Sequence, residues 1–388
     1  MSRTNAPFRA DHVGSLLRPA ALKQAREKRA RGEIDAGALK AIEDRENAAV
    51  IRRQRDVGLE AVTDGEFRRA FWQIDFLEKL DGVQSYEGER KIKFEGKQPR
   101  PILLRTNGKL GFTSHPMLEH FRYVNDCANT TVTGGLPATE PGSPVGVSPV
   151  TSKMTIPSPT SLHFRYGRDA IDKSVYPTME AFYADLGRAY AGAIKAFGDA
   201  GCRYLQIDEV NFAYLCDPKL REQVAARGEN PDTLPRTYAD LLNAALAGKP
   251  KDMVVTMHLC RGNFQSTFVA SGGYDPVAET LFQKIGVDGY FLEYDSERAG
   301  GFEPLRHVPK GKTVVLGLVT SKTGKLETKD ALKRRIAEAA KHLDLDQLCL
   351  SPQCGFASTE EGNLLADAEQ WAKLELIVDV ARDVWGGV

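Results

Sequence analysis

The residues with the clearest chemical potential are a histidine and a cysteine one residue apart, His258 and Cys260, in the segment Met-His-Leu-Cys-Arg-Gly-Asn. They lie at the end of an apolar run, residues 253–259, which predicts a β-strand. Because alternate residues of a strand project from the same face, the imidazole and the thiol point to one side and Leu259 to the other. Nitrogen and sulfur donors on one face suit two ligands of a zinc ion.

Two further donors are placed where other predicted strands end. Glu293 closes the run 289–293, and Cys354 follows the run 347–350. A metal-free alternative stays open at this point, in which Cys260 is a nucleophile and His258 its base. The other cysteines are interpreted as structural thiols: Cys127, Cys202, Cys216 and Cys349.

Eight short apolar or β-branched runs alternate with segments of helical period. This alternation is typical of parallel strands covered by crossover helices, and eight units are the number of a closed barrel. The predicted fold class is therefore α/β, a (β/α)8 TIM barrel, which gathers the carboxyl ends of its strands at one face and so brings distant ligands together. The predicted strands are residues 13–17, 60–65, 152–156, 204–208, 253–259, 289–293, 313–319 and 347–350.

Residues 84–150 depart from this rhythm, since they are rich in glycine, proline and charge. We interpret them as an insertion after the second βα unit, with hairpin-like arms at residues 90–94 and 101–104. The sequence shows no linker, so a single barrel domain is predicted for residues 1–388. The predicted helices are residues 35–57, 178–200, 233–247, 276–285, 328–343 and 360–384.

The composition argues against several classes of partner. Lysine plus arginine equal aspartate plus glutamate at 52 each, so the chain has no excess positive charge for nucleic acid. The N-terminus lacks the apolar core of a signal peptide, and no apolar stretch long enough to span a membrane follows it. Six scattered cysteines do not form the framework of a small secreted disulfide fold. The sequence thus predicts a cytoplasmic protein that binds neither nucleic acid nor membrane.

Five segments have recognisable patterns: Arg9-Ala10-Asp11-His12-Val13-Gly14-Ser15, Thr63-Asp64-Gly65-Glu66, Gln206-Ile207-Asp208-Glu209, His258-Leu259-Cys260, and the segment around Cys354. In this order they resemble the cobalamin-independent methionine synthase family, from about residue 8 to residue 371. The resemblance is strongest to the short, single-barrel members. It implies a (β/α)8 barrel and a Zn2+ ion with four ligands: His258, Cys260, Glu293 and Cys354.

The same resemblance implies transfer of a methyl group to the thiol of homocysteine, forming methionine. Asp208 and Glu66 would bind the amino group of that substrate, because carboxylates form charge-assisted hydrogen bonds with an ammonium. Without the resemblance, the acidic pair at 208–209 is also compatible with a helix cap, and residues 63–66 with a plain turn. Backbone groups of three residues would meet the substrate carboxylate: Val13, Gly14 and Ser15.

Two features of the long family members have no counterpart in this chain. Where those members carry a tryptophan that stacks on folate, residues 156–160 read Ile-Pro-Ser-Pro-Thr; where they present a histidine proposed as the proton donor, residues 319–323 read Val-Thr-Ser-Lys-Thr. The chain is also too short for their additional N-terminal barrel. The methyl donor is therefore open between methyl-folate and a methylated corrinoid protein.

Two other functions are compatible with the same residues. One is a zinc-dependent thiol alkyltransferase of the epoxyalkane:coenzyme M transferase type, although Glu66 and Asp208 would repel the sulfonate of coenzyme M. The other is a non-catalytic barrel that binds zinc or a small thiol for storage or sensing, in which four protein ligands would close the metal site.

Overall fold

The computed structural model describes residues 3–88, 99–130 and 150–388. Within these ranges the strands are β1 (Ala61–Val62), β2 (Asp81–Glu87), β3 (Ile102–Gly111), β4 (Thr151–Pro157), β5 (Tyr204–Glu209), β6 (Val254–Leu259), β7 (Gly289–Glu293), β8 (Thr313–Val319) and β9 (Leu348–Pro352). The α-helices are α1 (Ala20–Ala30), α2 (Ala36–Asp56), α3 (Ile74–Leu77), α4 (Met117–Asn129), α5 (Ser161–Phe164), α6 (Met179–Asp199), α7 (Asn211–Tyr214), α8 (Pro218–Ala226), α9 (Leu234–Leu246), α10 (Ala278–Lys284), α11 (Lys329–Ala339) and α12 (Asp367–Trp385).

A curled sheet of seven parallel strands forms the centre of the part of the chain that the structure describes, in the order β1-β4-β5-β6-β7-β8-β9. Every residue of β5, β7, β8 and β9 is buried, as expected for a sheet that is covered on both faces. Seven of the eight predicted strands correspond to these strands. The predicted TIM-barrel fold class is confirmed.

The predicted strand at residues 13–17 is wrong. The chain there is extended beside β9, but it pairs with that strand only through an isolated bridge between Ala10 and Leu350. At its other side, the Leu16 amide donates to the Gly65 carbonyl oxygen at 3.0 Å, beyond the end of β1. This segment therefore occupies the eighth position of the barrel without forming a regular strand.

Buried side chains donate hydrogen bonds to the carbonyl oxygens of residues 12–14. These oxygens are therefore not available to a strand ladder. Gly14 has φ +135°, and a Cβ atom at this position would lie 2.7 Å from Thr155 Cγ2, so the segment can approach β4 only with glycine. The three donors are Lys153 Nζ to His12 O at 2.6 Å, Gln206 Nε2 to Val13 O at 2.7 Å and Thr63 Oγ1 to Gly14 O at 2.6 Å.

A buried ion pair also fixes this N-terminal segment to the barrel. Lys153 Nζ lies 3.1 Å from Asp11 Oδ1, and both side chains are fully buried. The other carboxylate oxygen of Asp11 accepts a hydrogen bond from the Tyr204 hydroxyl at 2.8 Å. Because each charged group has a partner, the pair is tolerated in the interior and specifies where residues 9–16 lie.

All six predicted helices are present, and local signals explain most of their ends. Thr178 caps α6 by accepting a hydrogen bond from the Ala181 amide at 3.3 Å. The last helix, α12, begins at Asp367 rather than at the predicted residue 360, and Glu369 Oε2 accepts from the Ala366 amide in its first turn at 2.8 Å. Six helices were not predicted: α1, α3, α4, α5, α7 and α8.

The predicted insertion contains a separate two-stranded antiparallel sheet of β2 and β3, followed by α4. The arm predicted at residues 101–104 lies in β3, and the hairpin begins at Asp81, slightly before the predicted start. The arm predicted at residues 90–94 lies outside the described residues. Over the described ranges, no helix has both the length and the apolar character needed to cross a lipid bilayer.

Candidate metal centre and active-site cleft

Four side chains predicted as zinc ligands, His258, Cys260, Glu293 and Cys354, converge in the structure. One potential ligand atom from each lies within 4.8 Å of those of the other three, and all four residues are buried. The two sulfur atoms are 3.5 Å apart. We refer to these four residues as the quartet.

The parallel register of the sheet accounts for this convergence. His258 lies at the end of β6 and pairs with Phe291 of β7, so that Cys260, which follows β6, lies level with Glu293 at the end of β7. Cys354 follows β9, on the far side of β8. Curling of the sheet brings the carboxyl ends of β6, β7 and β9 to one place, as in barrels of this class.

The two thiols of the quartet lie within hydrogen-bonding distance of each other. A hydrogen bond between them holds the pKa of Cys354 well below its usual range and raises that of Cys260 well above its own. Burial alone would lower the pKa of His258, but the hydrogen bond and negative charge of Cys354 raise it. The hydrogen bond thus favours the thiolate form of Cys354, which is the form in which cysteine binds a metal.

Glu293 is held by donors on both of its carboxylate oxygens. Its Oε1 accepts a hydrogen bond from the Arg261 backbone amide at 3.0 Å, and its Oε2 accepts from Arg298 Nη2 at 3.0 Å. Burial raises the pKa of the Glu293 carboxyl, and the negative charge of Cys354 raises it further, while Arg298 acts in the opposite direction.

The donor types of the quartet fit a zinc ion. Neither ring nitrogen of His258 has a well-formed hydrogen bond within the described part of the chain, although Cys354 lies close enough to interact with the ring. Buried polar atoms without partners are costly, and a coordinated ion would satisfy one of the two ring nitrogens. One nitrogen, two sulfurs and a carboxylate oxygen form a ligand set that zinc accepts in near-tetrahedral geometry.

Two carboxylates, Glu66 and Asp208, line the cleft that opens over the quartet. Glu66 Oε1 accepts from Thr155 Oγ1 at 3.1 Å and lies 3.5 Å from Arg69, while Oε2 is buried and has no hydrogen-bond partner among the described residues. Asp208 accepts from Gln206 Nε2 at 2.6 Å. Burial raises the pKa of both carboxyls, that of Asp208 to about 7. The cleft thus offers acceptors that are poorly satisfied by the protein itself.

The two neighbouring acidic residues at the end of β5 have different surroundings. Glu209 accepts hydrogen bonds from the backbone amides of Asn211 and Phe212 at the start of α7, and from the Thr160 hydroxyl at 2.6 Å. Asp208 faces the cleft. The helix-cap interpretation therefore applies to Glu209, whereas Asp208 is free to meet a ligand.

Glu66 lies in a tight turn, as the plain-turn alternative predicts, but its side chain also reaches the cleft. Its amide donates to Asp64 Oδ1 at 2.8 Å, and both Gly65 and Glu66 have positive φ, of 61° and 60°. A positive φ at a residue other than glycine is uncommon and costs free energy. The turn therefore has a conformational cost, and it directs the Glu66 carboxylate into the cleft.

The backbone amides of residues 13–15 donate no hydrogen bond within the described part of the chain. Val13 and Ser15 line the cleft. Gly355 packs against this segment so closely that a Cβ atom on it would lie 2.0 Å from Ser15 Oγ. Free amides beside a cleft can bind an anion such as a carboxylate.

The sequence predictions missed several residues that line the cleft or support it. The cleft encloses about 430 Å³ of empty space, including the part open to solvent. Each missed residue follows the carboxyl end of a strand, which is the one signal in the sequence that could have identified them. The missed lining residues are Trp72, Arg165, Val210, Tyr214, Gly262, Asn263, Gly355 and Ser358, and Arg298 supports Glu293 from outside the cleft.

Comparison with known proteins was consistent with this geometry. The family model described as the catalytic domain of cobalamin-independent synthase matches residues 166–383, more than half of the chain. The Bacillus subtilis protein YxjH, itself uncharacterized, is 49% identical over 381 residues, which cover 98% of this chain and 95% of that protein. A protein of Pyrococcus abyssi named methionine synthase is 23% identical over 344 residues, covering 89% of this chain and 85% of its own.

A solved structure from Listeria monocytogenes matches over the whole chain. It is described as a candidate vitamin-B12-independent methionine synthase, and it is 41% identical in sequence with a TM-score of 0.77. The match covers 99% of this chain and 100% of that one.

Proposed function

The chain belongs to the cobalamin-independent methionine synthase family, and from this premise we propose that it transfers a methyl group to the thiol of homocysteine and so forms methionine. We further propose Zn2+ as its cofactor, with His258, Cys260, Glu293 and Cys354 as the ligands. The observation that carries the proposal is the convergence of these four side chains within 4.8 Å beneath a cleft that contains two further carboxylates.

The thiol of an amino acid is mostly protonated at neutral pH, whereas the thiolate is the nucleophile. A zinc ion bound by the quartet would supply the missing chemistry by lowering the pKa of a thiol that approaches it.

The side chains of the protein have the task of orienting the acceptor. Glu66 and Asp208 bind its ammonium group, and the free amides of residues 13–15 bind its carboxylate. This leaves the thiol end of the substrate directed towards the quartet. Because the ammonium brings positive charge, it offsets the cost of burying the two carboxylates together.

If the quartet held zinc, Glu293 would be the residue best placed to give way to a substrate sulfur. Its Oε2 already accepts a hydrogen bond from Arg298, so the carboxylate remains paired when it is not bound to a metal. Sulfur is also a better ligand than a carboxylate for a thiophilic ion. His258, Cys260 and Cys354 would then remain to hold the ion.

An amino-acid thiol fits the cleft better than coenzyme M does, because Glu66 and Asp208 would repel a sulfonate. A storage or sensing function would need a closed metal site that does not react with an added thiol. We also propose that residues 1–388 form a single barrel domain, with residues 84–150 inserted in it.

The test is a methyl-transfer assay with homocysteine and two donors, 5-methyltetrahydropteroyltriglutamate and methylcobalamin, with methionine detected by mass. Zinc-loaded protein should form methionine with at least one donor, and protein stripped of metal by a chelator should not until zinc is restored. The Cys202→Ser variant is the control, because Cys202 is a buried thiol outside the quartet. Full activity in metal-free protein would refute the proposal.

A further inference from the structure

Arg165 lines the cleft as a cation that pairs with no carboxylate among the described residues. It follows α5, and its guanidinium carbon lies 5.7 Å from the centroid of the Trp72 ring and 5.9 Å from that of the Tyr214 ring. Its Nε is buried without a hydrogen-bond partner, and no ion pair forms between Arg165 and any described acidic residue. A partly buried cation of this kind is costly unless a ligand supplies the opposite charge.

Two aromatic residues flank this cation and also line the cleft. The Trp72 backbone amide donates to the Ser358 carbonyl oxygen at 3.0 Å, which ties the position of Trp72 to the loop that follows Cys354. Tyr214 is fully buried, and its phenol lies close enough to Arg165 and Cys260 for both to affect its pKa. A cation between fixed aromatic rings can bind an anion while the rings cover a flat group.

The acceptor carboxylate is not the anion that this site best fits. The ammonium and the carboxylate of an α-amino acid are attached to one carbon, so their binding groups must lie close together. Glu66 lies 3.5 Å from Arg69, and no ion pair within the described residues joins Arg165 to Glu66 or to Asp208. Arg165 lies instead against the rings of Trp72 and Tyr214, so it does not pair with the two carboxylates of the proposed ammonium site.

Building on the proposed methyl transfer, we propose that Arg165, Trp72 and Tyr214 form a subsite for the methyl donor, in which Arg165 binds an anionic group of the donor and Trp72 covers a flat part of it. The anion is a carboxylate or a phosphate, since both accept paired hydrogen bonds from a guanidinium. The glutamate tail of a folate carries the first, and the nucleotide loop of a corrinoid carries the second.

Donor binding can be measured without turnover, through quenching of tryptophan fluorescence in zinc-loaded protein. The probes are 5-methyltetrahydropteroyltriglutamate and methylcobalamin, and the Trp72→Phe variant identifies the part of the signal that comes from the cleft. For the donor that binds, Arg165→Gln should weaken binding about 10- to 100-fold, the loss expected for charge-assisted hydrogen bonds, and Arg165→Lys should retain part of the affinity. The probe that shows this loss identifies the anion as carboxylate or phosphate.

The matched control is Lys173→Gln, which removes one positive charge from an exposed residue outside the cleft. This variant should bind the donor as wild-type protein does. The affinity for homocysteine, measured by calorimetry, should be the same in wild-type protein and in Arg165→Gln.

Three results would overturn the subsite. They are binding of neither probe by wild-type protein, equal donor affinity in Arg165→Gln and wild-type protein, and a loss in Arg165→Gln that falls on homocysteine instead of the donor. If the donor binds through Arg165 but no methionine forms, the subsite stands and the proposed function falls.

Discussion

The substitution Asp208→Asn should stabilise the fold and weaken the binding of homocysteine. Burial raises the pKa of Asp208 from its ordinary value of 3.8 to about 7, so the folded protein holds the proton more tightly than the unfolded chain does. For a carboxyl with a raised pKa, folding stability is lost as the pH rises from the unfolded value through the folded one. At pH 8 the ionised carboxylate therefore costs the folded protein about 4 kcal/mol.

Asparagine removes this charge while keeping the side-chain oxygen that accepts from Gln206. The stability difference between the variant and the wild type should therefore widen by about 2–3 kcal/mol between pH 5 and pH 8. The loss of a charge-assisted hydrogen bond to the substrate ammonium should weaken homocysteine binding about 10- to 100-fold. Urea denaturation at both pH values measures the first effect, and calorimetry with homocysteine measures the second.

The control is Glu209→Gln, one residue further along β5. The Glu209 carboxylate faces the amides of α7 rather than the cleft, so this change should leave homocysteine affinity within about threefold. A variant at Asp208 that is less stable than wild type at pH 8, or that binds homocysteine equally well, would refute the reasoning.

Three further predictions concern the metal site, the barrel interior and a helix cap. The Cys260→Ser and Cys354→Ser variants should each lose bound zinc in elemental analysis. In a metal-free mechanism with Cys260 as nucleophile, Cys354→Ser would instead leave activity unchanged. Lys153→Met should lower the free energy of unfolding by about 3–5 kcal/mol in urea, since it leaves Asp11 buried without its cation; a loss below about 1 kcal/mol would contradict that role. Thr178→Ala should cost about 1 kcal/mol through the lost cap of α6, seen as a lower thermal midpoint, and an unchanged midpoint would count against it.

The order and type of the main elements could be predicted from the sequence, because their causes are local. Short β-branched runs and helical periodicity identified seven strands of the barrel and six helices. The segment at residues 13–17 was misread as a strand because its composition resembles one. The carbonyl oxygens of residues 12–14 instead accept hydrogen bonds from side chains on β4, on β5 and just after β1, and no local pattern records such contacts.

The candidate ligands could be predicted in kind but not in arrangement. Spacing on a strand indicated that His258 and Cys260 point the same way, and residue type identified Glu293 and Cys354 as candidates. The sequence does not show which oxygen and nitrogen atoms around these residues already have hydrogen-bond partners. Arg298 donates a hydrogen bond to Glu293, whereas the His258 ring has no well-formed hydrogen bond within the described residues. Both facts depend on contacts that form only when the barrel folds.

The sequence by itself thus determined the chemical inventory of the site and the strands that carry it. Only the tertiary structure decided that Asp208 faces the cleft while Glu209 caps a helix, and that Arg165 lies against two aromatic rings with no counter-ion among the described residues. The physical reason is that side-chain type and period depend on neighbours along the chain. Burial, charge compensation and free hydrogen-bonding groups depend instead on residues that folding brings together from far apart.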